Sequence, residues 1–433
     1  MSAVTDLALL TGWVPWASLV AGVVGALWLL GRRDRRFLTR RLPLALLVAA
    51  VVVGAVYVVV EKVWRPFPDP LTLSVYWWGL AGVAGHAVLV PRAVAGRGAV
   101  AALVTVLASL LVVVMAAERV NLSFRAFPTV GTVVGAGRPS EVDPARLTDA
   151  VAQTVSDLPL SASWQPPASM PGKGSIAQVT IPATVSGFSA RPGWVYVPPA
   201  YLTTPRAELP VLVLLSGQPG TPEDWLNGGH LVATMDDWAA RHGGLAPVVV
   251  LADGTGGPLA NPLCLDSRIA QVQTYLAVDV PAWVRSTLQV QQDPRQWAVG
   301  GFSYGGTCAL QLGTNRPDVY PTFLDISGQD EPTLGTRSQT VAAAFGGDAD
   351  AFAAVNPVDL LARRSYADSA ARIVIGSQDS TYGPQGRTVF AAAKASGMDV
   401  ELVELPGGHD YGVWAEGLTQ NLDWLGTRLG ITP

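Results

Sequence analysis

Charge is scarce in this sequence of 433 residues. Asp, Glu, Lys and Arg together make up only 14% of it, against about a quarter in an ordinary soluble domain. That deficit excludes a chain exposed to water throughout and puts part of it in lipid. Lysine is nearly missing: 3 of the 29 basic residues are Lys and the rest Arg, a compositional bias with no mechanistic weight. Cysteine occurs twice, at Cys264 and Cys308, with no CxxC pair or Cys/His cluster, which argues against a structural zinc site. Histidine occurs four times, at His86, His230, His242 and His409, so chemistry that needs an imidazole has few places to go. A basic excess is also lacking where it would matter for nucleic acid. Residues 118–433 hold 19 Lys/Arg against 29 Asp/Glu, and phosphate binding needs a basic face.

What the chain has in quantity is long apolar runs. Four uncharged stretches, Leu9–Leu30, Leu42–Val60, Leu71–Val90 and Ala99–Ala117, run 22, 19, 20 and 19 residues. About 20 residues at a rise of ~1.5 Å cross a hydrocarbon core of ~30 Å. The first stretch could also be read as a cleaved signal, but no basic region precedes it and arginines, not small residues, follow it. The expectation is a four-helix transmembrane bundle over residues 1–117, with the lipid bilayer as its partner. Six arginines lie between Arg32 and Arg41 and none in the tail before the first span, which makes that loop cytoplasmic. Lys62 and Arg65 then fall outside, Arg92 and Arg97 inside, and all that follows Ala117 is extracytoplasmic. His86 is the one ionisable group inside a span, and it is read as a packed or hydrogen-bonded side chain, not part of a transport path.

Residues 118–171, with Gly131, Gly135, Gly137, Pro139 and Pro144, read as a linker or stalk carrying one helix near 144–158. From about Gly172 the pattern changes. Short apolar runs at 176–181, 194–197, 211–215, 247–251, 297–300, 322–326, 373–375 and 400–405 alternate with helical stretches at 231–241, 280–288, 304–314 and 386–396. Such alternation predicts a mostly parallel sheet with helices on both faces over 172–433. Reactive groups in these sheets gather at the carboxyl ends of the strands.

Gly301-Phe302-Ser303-Tyr304-Gly305 stands at one such end. Its glycines make room for a strained strand-to-helix turn that exposes a serine at a helix N-terminus. Serine needs a base, and His409 is the one histidine downstream of Ser303, in a Gly-Gly-His turn after the last strand. Asp379 follows the strand before that one and is the expected acid, with Asp330 as its rival; Asp410 adjoins His409 but is poorly placed to meet the ring. The N–H of Tyr304 and a donor from the loop Ser216–Gly220, at Gln218, are the expected oxyanion hole. Trp225 and Asp224 either line the pocket or pack.

Several segments resemble the esterase D-like family of α/β-hydrolases, which includes the secreted mycolyltransferases of mycobacteria and corynebacteria. They are 213–217, 274–276, 279–283, 298–306, 316–320, 326–328 and 407–411, within a likeness over about 172–433. The resemblance implies an α/β-hydrolase domain and leaves out the four spans, which the secreted members lack; with the apolar runs it makes a multi-domain chain, a transmembrane bundle followed by an α/β-hydrolase domain. On it Ser303, Asp379 and His409 match the catalytic triad, and Gln218 and Tyr304 the oxyanion donors. The chain departs from the mycolyltransferases at three points: Asp379 stands where they have Glu, Gly305 where they have Ala, and Ser216 where they have Asp. These departures favour hydrolysis of carboxylic esters of lipid or cell envelope, with acyl transfer to a sugar or glycolipid hydroxyl as the alternative. No cofactor or metal is called for. Because both cysteines fall outside by the topology argument, and export favours oxidation, a Cys264–Cys308 disulfide is expected.

Overall fold

Each of the four apolar stretches becomes a helix. In the computed structural model, which describes residues 2–64, 70–95, 98–134 and 140–433, these are α1 (Val14–Leu30), α2 (Phe37–Trp64), α3 (Leu73–Val94) and α4 (Ala99–Phe124). Among the described residues three helices, α2, α3 and α4, are long and apolar enough to cross a membrane. At 17 residues α1 is shorter than the stretch that encodes it. Gly12 turns the chain at φ 77°, and the Leu9 N–H bonds to the Pro128 carbonyl at 2.7 Å instead of extending the helix. Small residues set the helix spacing. A side chain at Gly25 would run into the backbone of Ala108, and one at Gly22 into Met115, so α1 and α4 approach closely. His86 corrects an expectation: it is exposed on the surface of α3, not packed. An ion pair of Glu118 with Arg119, 3.3 Å apart, lies on the part of α4 that runs on past Ala117. Arg65 and Arg97, which entered the charge count, and Gly135, Gly137 and Pro139 lie outside the described residues.

The chain divides into two compact units, Met1–Gly137 and Arg138–Pro433. The stretch expected as linker is shared between them. Residues 118–124 finish α4, whereas Leu147, Leu160 and Trp164 are buried in the core of the second unit. The helix expected near 144–158 is a single 3-10 turn at Pro144–Leu147, and Thr154–Val155 pairs in parallel with Arg206–Ala207.

The second unit is built on eight strands: β1 (Ser175–Val179), β2 (Gly193–Val197), β3 (Val211–Leu215), β4 (Val248–Leu251), β5 (Trp297–Phe302), β6 (Thr322–Ile326), β7 (Ala370–Gly376) and β8 (Asp399–Leu405). Their order across the sheet is β8-β7-β6-β5-β3-β4-β2-β1. All neighbours are parallel except where β2 meets β1 and β4, so β2 alone runs against the rest. Strands β3 to β7 are buried on both faces, as their Val/Leu/Ile runs dictate, while edge strand β8 alternates and turns Asp399, Glu401 and Glu404 outward. The covering helices are α5 (Leu231–Arg241), α6 (Val280–Thr287), α7 (Tyr304–Asn315), α8 (Tyr382–Ala395) and α9 (Tyr411–Arg428).

Register decides where the site forms. Leu215 of β3 lies opposite Gly301, Phe302 opposite Ile326, Ile326 opposite Val374, and Gly376 opposite Leu405. The carboxyl ends of β3, β5, β6, β7 and β8 therefore finish along one edge. The chain leaves β3 for β4 on one side and returns through β5 to β6 on the other, which opens a crevice at that point.

Candidate active site

Ser303 sits in the turn between β5 and α7 at φ 55°, ψ −120°, a conformation L-residues with a side chain rarely hold. The strain is sustained by close packing around it. A Cβ at Gly301 would collide with the Gly305 backbone, and one at Gly305 with the Leu215 carbonyl, so these two positions admit only glycine. The Ser303 N–H bonds to the Ile326 carbonyl at 2.8 Å. Helix α7 is buried from Tyr304 to Thr314, and its first-turn N–H groups point toward the serine.

His409 reaches the same point from the turn after β8. Its Nε2 lies 2.9 Å from the Ser303 Oγ and its Nδ1 3.1 Å from Asp379 Oδ2. The Asp379 carboxylate is buried. Burial works to raise its pKa, but the His409 ring and the Tyr382 and Thr381 N–H groups outweigh that and hold it below the usual carboxylate range. An ionised Asp379 accepts the Nδ1–H, which leaves Nε2 with a lone pair facing the serine hydroxyl. Two backbone bonds join the acid loop to the histidine turn: Ser377 N–H to the Leu405 carbonyl at 2.7 Å, and Gln378 N–H to the Gly407 carbonyl at 2.8 Å. Asp410 caps α9 by accepting the Gly412 and Val413 N–H groups, and its other oxygen accepts that of Gly408. It shapes the turn without meeting the ring. Asp330 is half-buried in the loop after β6, its carboxyl raised by burial, and its N–H bonds to Gln385. The structure thus brings Ser303, His409 and Asp379 together and leaves Asp330 off the ring.

The loop after β3 lies against the serine. A Cβ on Gly217 would come 3.3 Å from that of Ser303. Gln218 follows, its side chain turned to the Leu259 carbonyl at 3.0 Å. Trp225 proves to be core, with its indole N–H on the Leu215 carbonyl, and Asp224 caps the short helix Pro222–Trp225 through Thr221. The other histidines lie elsewhere: His230 at the N-terminus of α5, His242 stacked on Trp238.

Two groups escaped the sequence reading. Arg191 grips Asp253 with two bonds (3.0 and 2.7 Å) and donates to the Gly220 carbonyl at 3.0 Å, tying down the far end of the Ser216–Gly220 loop. The position of Asp253 just past β4, on the reactive edge, was a usable signal; nothing pointed to Arg191. The second is Tyr382, whose ring stacks on His409 with centroids 4.1 Å apart. Opposite the site's floor, Cys264 and Cys308 form a disulfide with Cα atoms 5.4 Å apart, and the Cys264 N–H bonds to the Tyr304 hydroxyl at 3.1 Å.

A strained serine elbow at the switch point of this sheet defines an α/β-hydrolase. The model of the family described as "Putative esterase" matches residues 189–425, and the chain belongs to that family. An uncharacterised protein of Corynebacterium glutamicum is 37% identical over 422 residues, covering 95% of both chains, so that likeness takes in the N-terminal helices too. Among solved structures a ferulic acid esterase superposes with a TM-score of 0.52 at 18% identity, covering 59% of this chain and 98% of its own. An S-formylglutathione hydrolase from Agrobacterium tumefaciens gives 0.48 at 19% identity, covering 59% and 95%.

Proposed function

We propose that the chain is a membrane-anchored serine esterase that cleaves carboxylic esters of lipids or the cell envelope on the extracytoplasmic side. The observation that carries this reading is the continuous relay from Asp379 through His409 to the Ser303 hydroxyl, at 3.1 and 2.9 Å. Ser303 attacks the ester carbonyl as His409 takes its proton. The oxyanion that forms accepts hydrogen bonds from the N–H groups of Tyr304 and Gln218, aided by the positive end of α7. Collapse expels the alcohol, which takes the proton from His409. Water, activated by the same imidazole, then releases the acid from Ser303. A sugar hydroxyl in place of water would give acyl transfer from the same acyl-enzyme.

Residues 1–117 serve as the anchor, α1 as its first span, and 172–433 as the catalytic domain. The six arginines after α1 support a cytoplasmic loop there, which leaves both termini outside. The test is fluorophosphonate labelling of membranes that contain the protein, followed by turnover of p-nitrophenyl esters of graded chain length with and without a sugar acceptor. Ser303→Ala should lose both labelling and turnover with its melting temperature unchanged. Undiminished labelling of that variant would sink the assignment.

A further inference from the structure

His409 is held by more than its two hydrogen bonds. On one side the ring of Tyr382 lies nearly parallel to the imidazole, 18° between planes and 4.1 Å between centroids. On another, Trp414 meets it almost perpendicularly, 81° at 5.0 Å, and is itself stacked on Phe302, the residue before Ser303. Tyr382 is buried, and its backbone N–H donates to Asp379 Oδ1 at 2.8 Å. One residue thus touches both the imidazole and the carboxylate that orients it. The position follows from the fold: Tyr382 opens α8 three residues after Asp379, so its N–H, which has no carbonyl of the helix's own to meet, turns to that carboxylate.

A ring in this place does two things to an imidazole. It blocks rotation about the side-chain bonds that would take Nε2 off the serine. It also presents a negative π-face to a group that becomes a cation each time Ser303 loses its proton. The titratable and charged groups around that cation are Asp379 from the β7–α8 loop, Asp410 in its own turn, and Ser303. Asp330 lies on the loop after β6, and Asp224 acts on Tyr411 of α9. Asp379 supplies the charge, and its geometry is set by the same N–H of Tyr382.

Resting on the triad reading above, we infer that Tyr382 is a positioning residue: it fixes the rotamer of His409 and stabilises its protonated form through the face of the ring. Removing the ring should lower the pKa of the imidazole, because the ring favours the charged state. The acid limb of kcat/KM should then move to lower pH by about half a unit to one unit. Meanwhile kcat falls about tenfold from lost orientation, and KM for a short ester stays as it is.

The experiment compares the full chain in detergent with Tyr382→Phe, Tyr382→Leu and pentafluorophenylalanine at position 382, which keeps the shape of the ring but reverses the polarity of its face. Each is followed by the pH profile of p-nitrophenyl ester turnover and by NMR titration of ¹³C-labelled histidines, with the His409 signal assigned by its loss in His409→Gln. The expected result is a wild-type profile for Tyr382→Phe and a downward shift of both the acid limb and the NMR titration for the other two. Should Tyr382→Leu fail to fold, the fluorinated ring gives the answer alone. Identical titrations for all four proteins would overturn the inference. The NMR titration needs no turnover, so a protein that neither labels nor hydrolyses would refute the esterase reading while still deciding the role of Tyr382.

Discussion

The carboxylate of Asp325 accepts the backbone N–H of Gly328 at 2.9 Å, directly beneath the first turn of the helix that carries Ser303. It is fully buried, its second oxygen has no hydrogen-bond partner among the described residues, and burial pushes its pKa up to about 7. An acid whose pKa is higher folded than unfolded binds its proton more tightly in the native state. Its contribution to stability is therefore complete below the unfolded pKa of about 4 and is lost as pH rises through about 7. The loss amounts to something on the order of a few kcal/mol. Asp325→Asn, neutral at every pH, should flatten this dependence, so that its melting temperature exceeds that of the wild type at pH 8 and not at pH 4. Parallel melting curves for the two proteins across that range would remove Asp325 from the account.

Asp379→Asn should slow ester turnover by about 10⁴, the cost of losing the carboxylate that fixes the imidazole tautomer in a serine triad. Asp330→Asn, which changes a carboxyl that does not touch His409, should cost less than tenfold. Rates of p-nitrophenyl ester hydrolysis decide between them, and a reversal of the two effects would move the acid to the loop after β6.

Cys308→Ser should destabilise the second unit. Cys264 and Cys308 are 44 residues apart in sequence, and chain-entropy models assign such a closure about 4 kcal/mol, roughly 10 °C in melting temperature for a unit of this size. Freshly isolated wild-type protein, denatured without reductant, should take up no alkylating reagent. Two alkylated thiols would rule the bond out in the protein as made by the cell.

A reporter active only outside the cytoplasm should light up when fused after Pro433 and stay dark when fused near Arg36. The six-arginine loop is the whole basis of that orientation, and the opposite pattern would invert the topology.

The hydrolase sheet was legible because its strands are apolar on both faces. Val211–Leu215 and Thr322–Ile326 emerge with the boundaries their residues imply, and the others within a few residues. Ser303 was marked by its glycines and His409 by elimination among four histidines. Less legible was whatever depends on contacts far apart in sequence. Leu160 and Trp164 look like linker residues because they stand among polar and proline positions, yet both insert into the core; only the partner surface reveals it. The helix expected after Pro144 fails because the chain is drawn instead into pairing at Thr154–Val155 with Arg206–Ala207. Arg191 carries no local pattern, since its partner Asp253 lies 62 positions away, and the stacking of the Tyr382 ring on His409 joins residues too far apart in sequence to show in any window.

Tyr304 holds the Cys264 amide through its hydroxyl, and Cys308, one turn further along the same helix, holds the Cys264 sulfur. Rim and floor of the cleft are thus riveted into a single piece, with Arg191 bracing the adjoining loop. On the esterase reading proposed above, a wall pinned at both ends in this way would meet its substrate as a shape already formed.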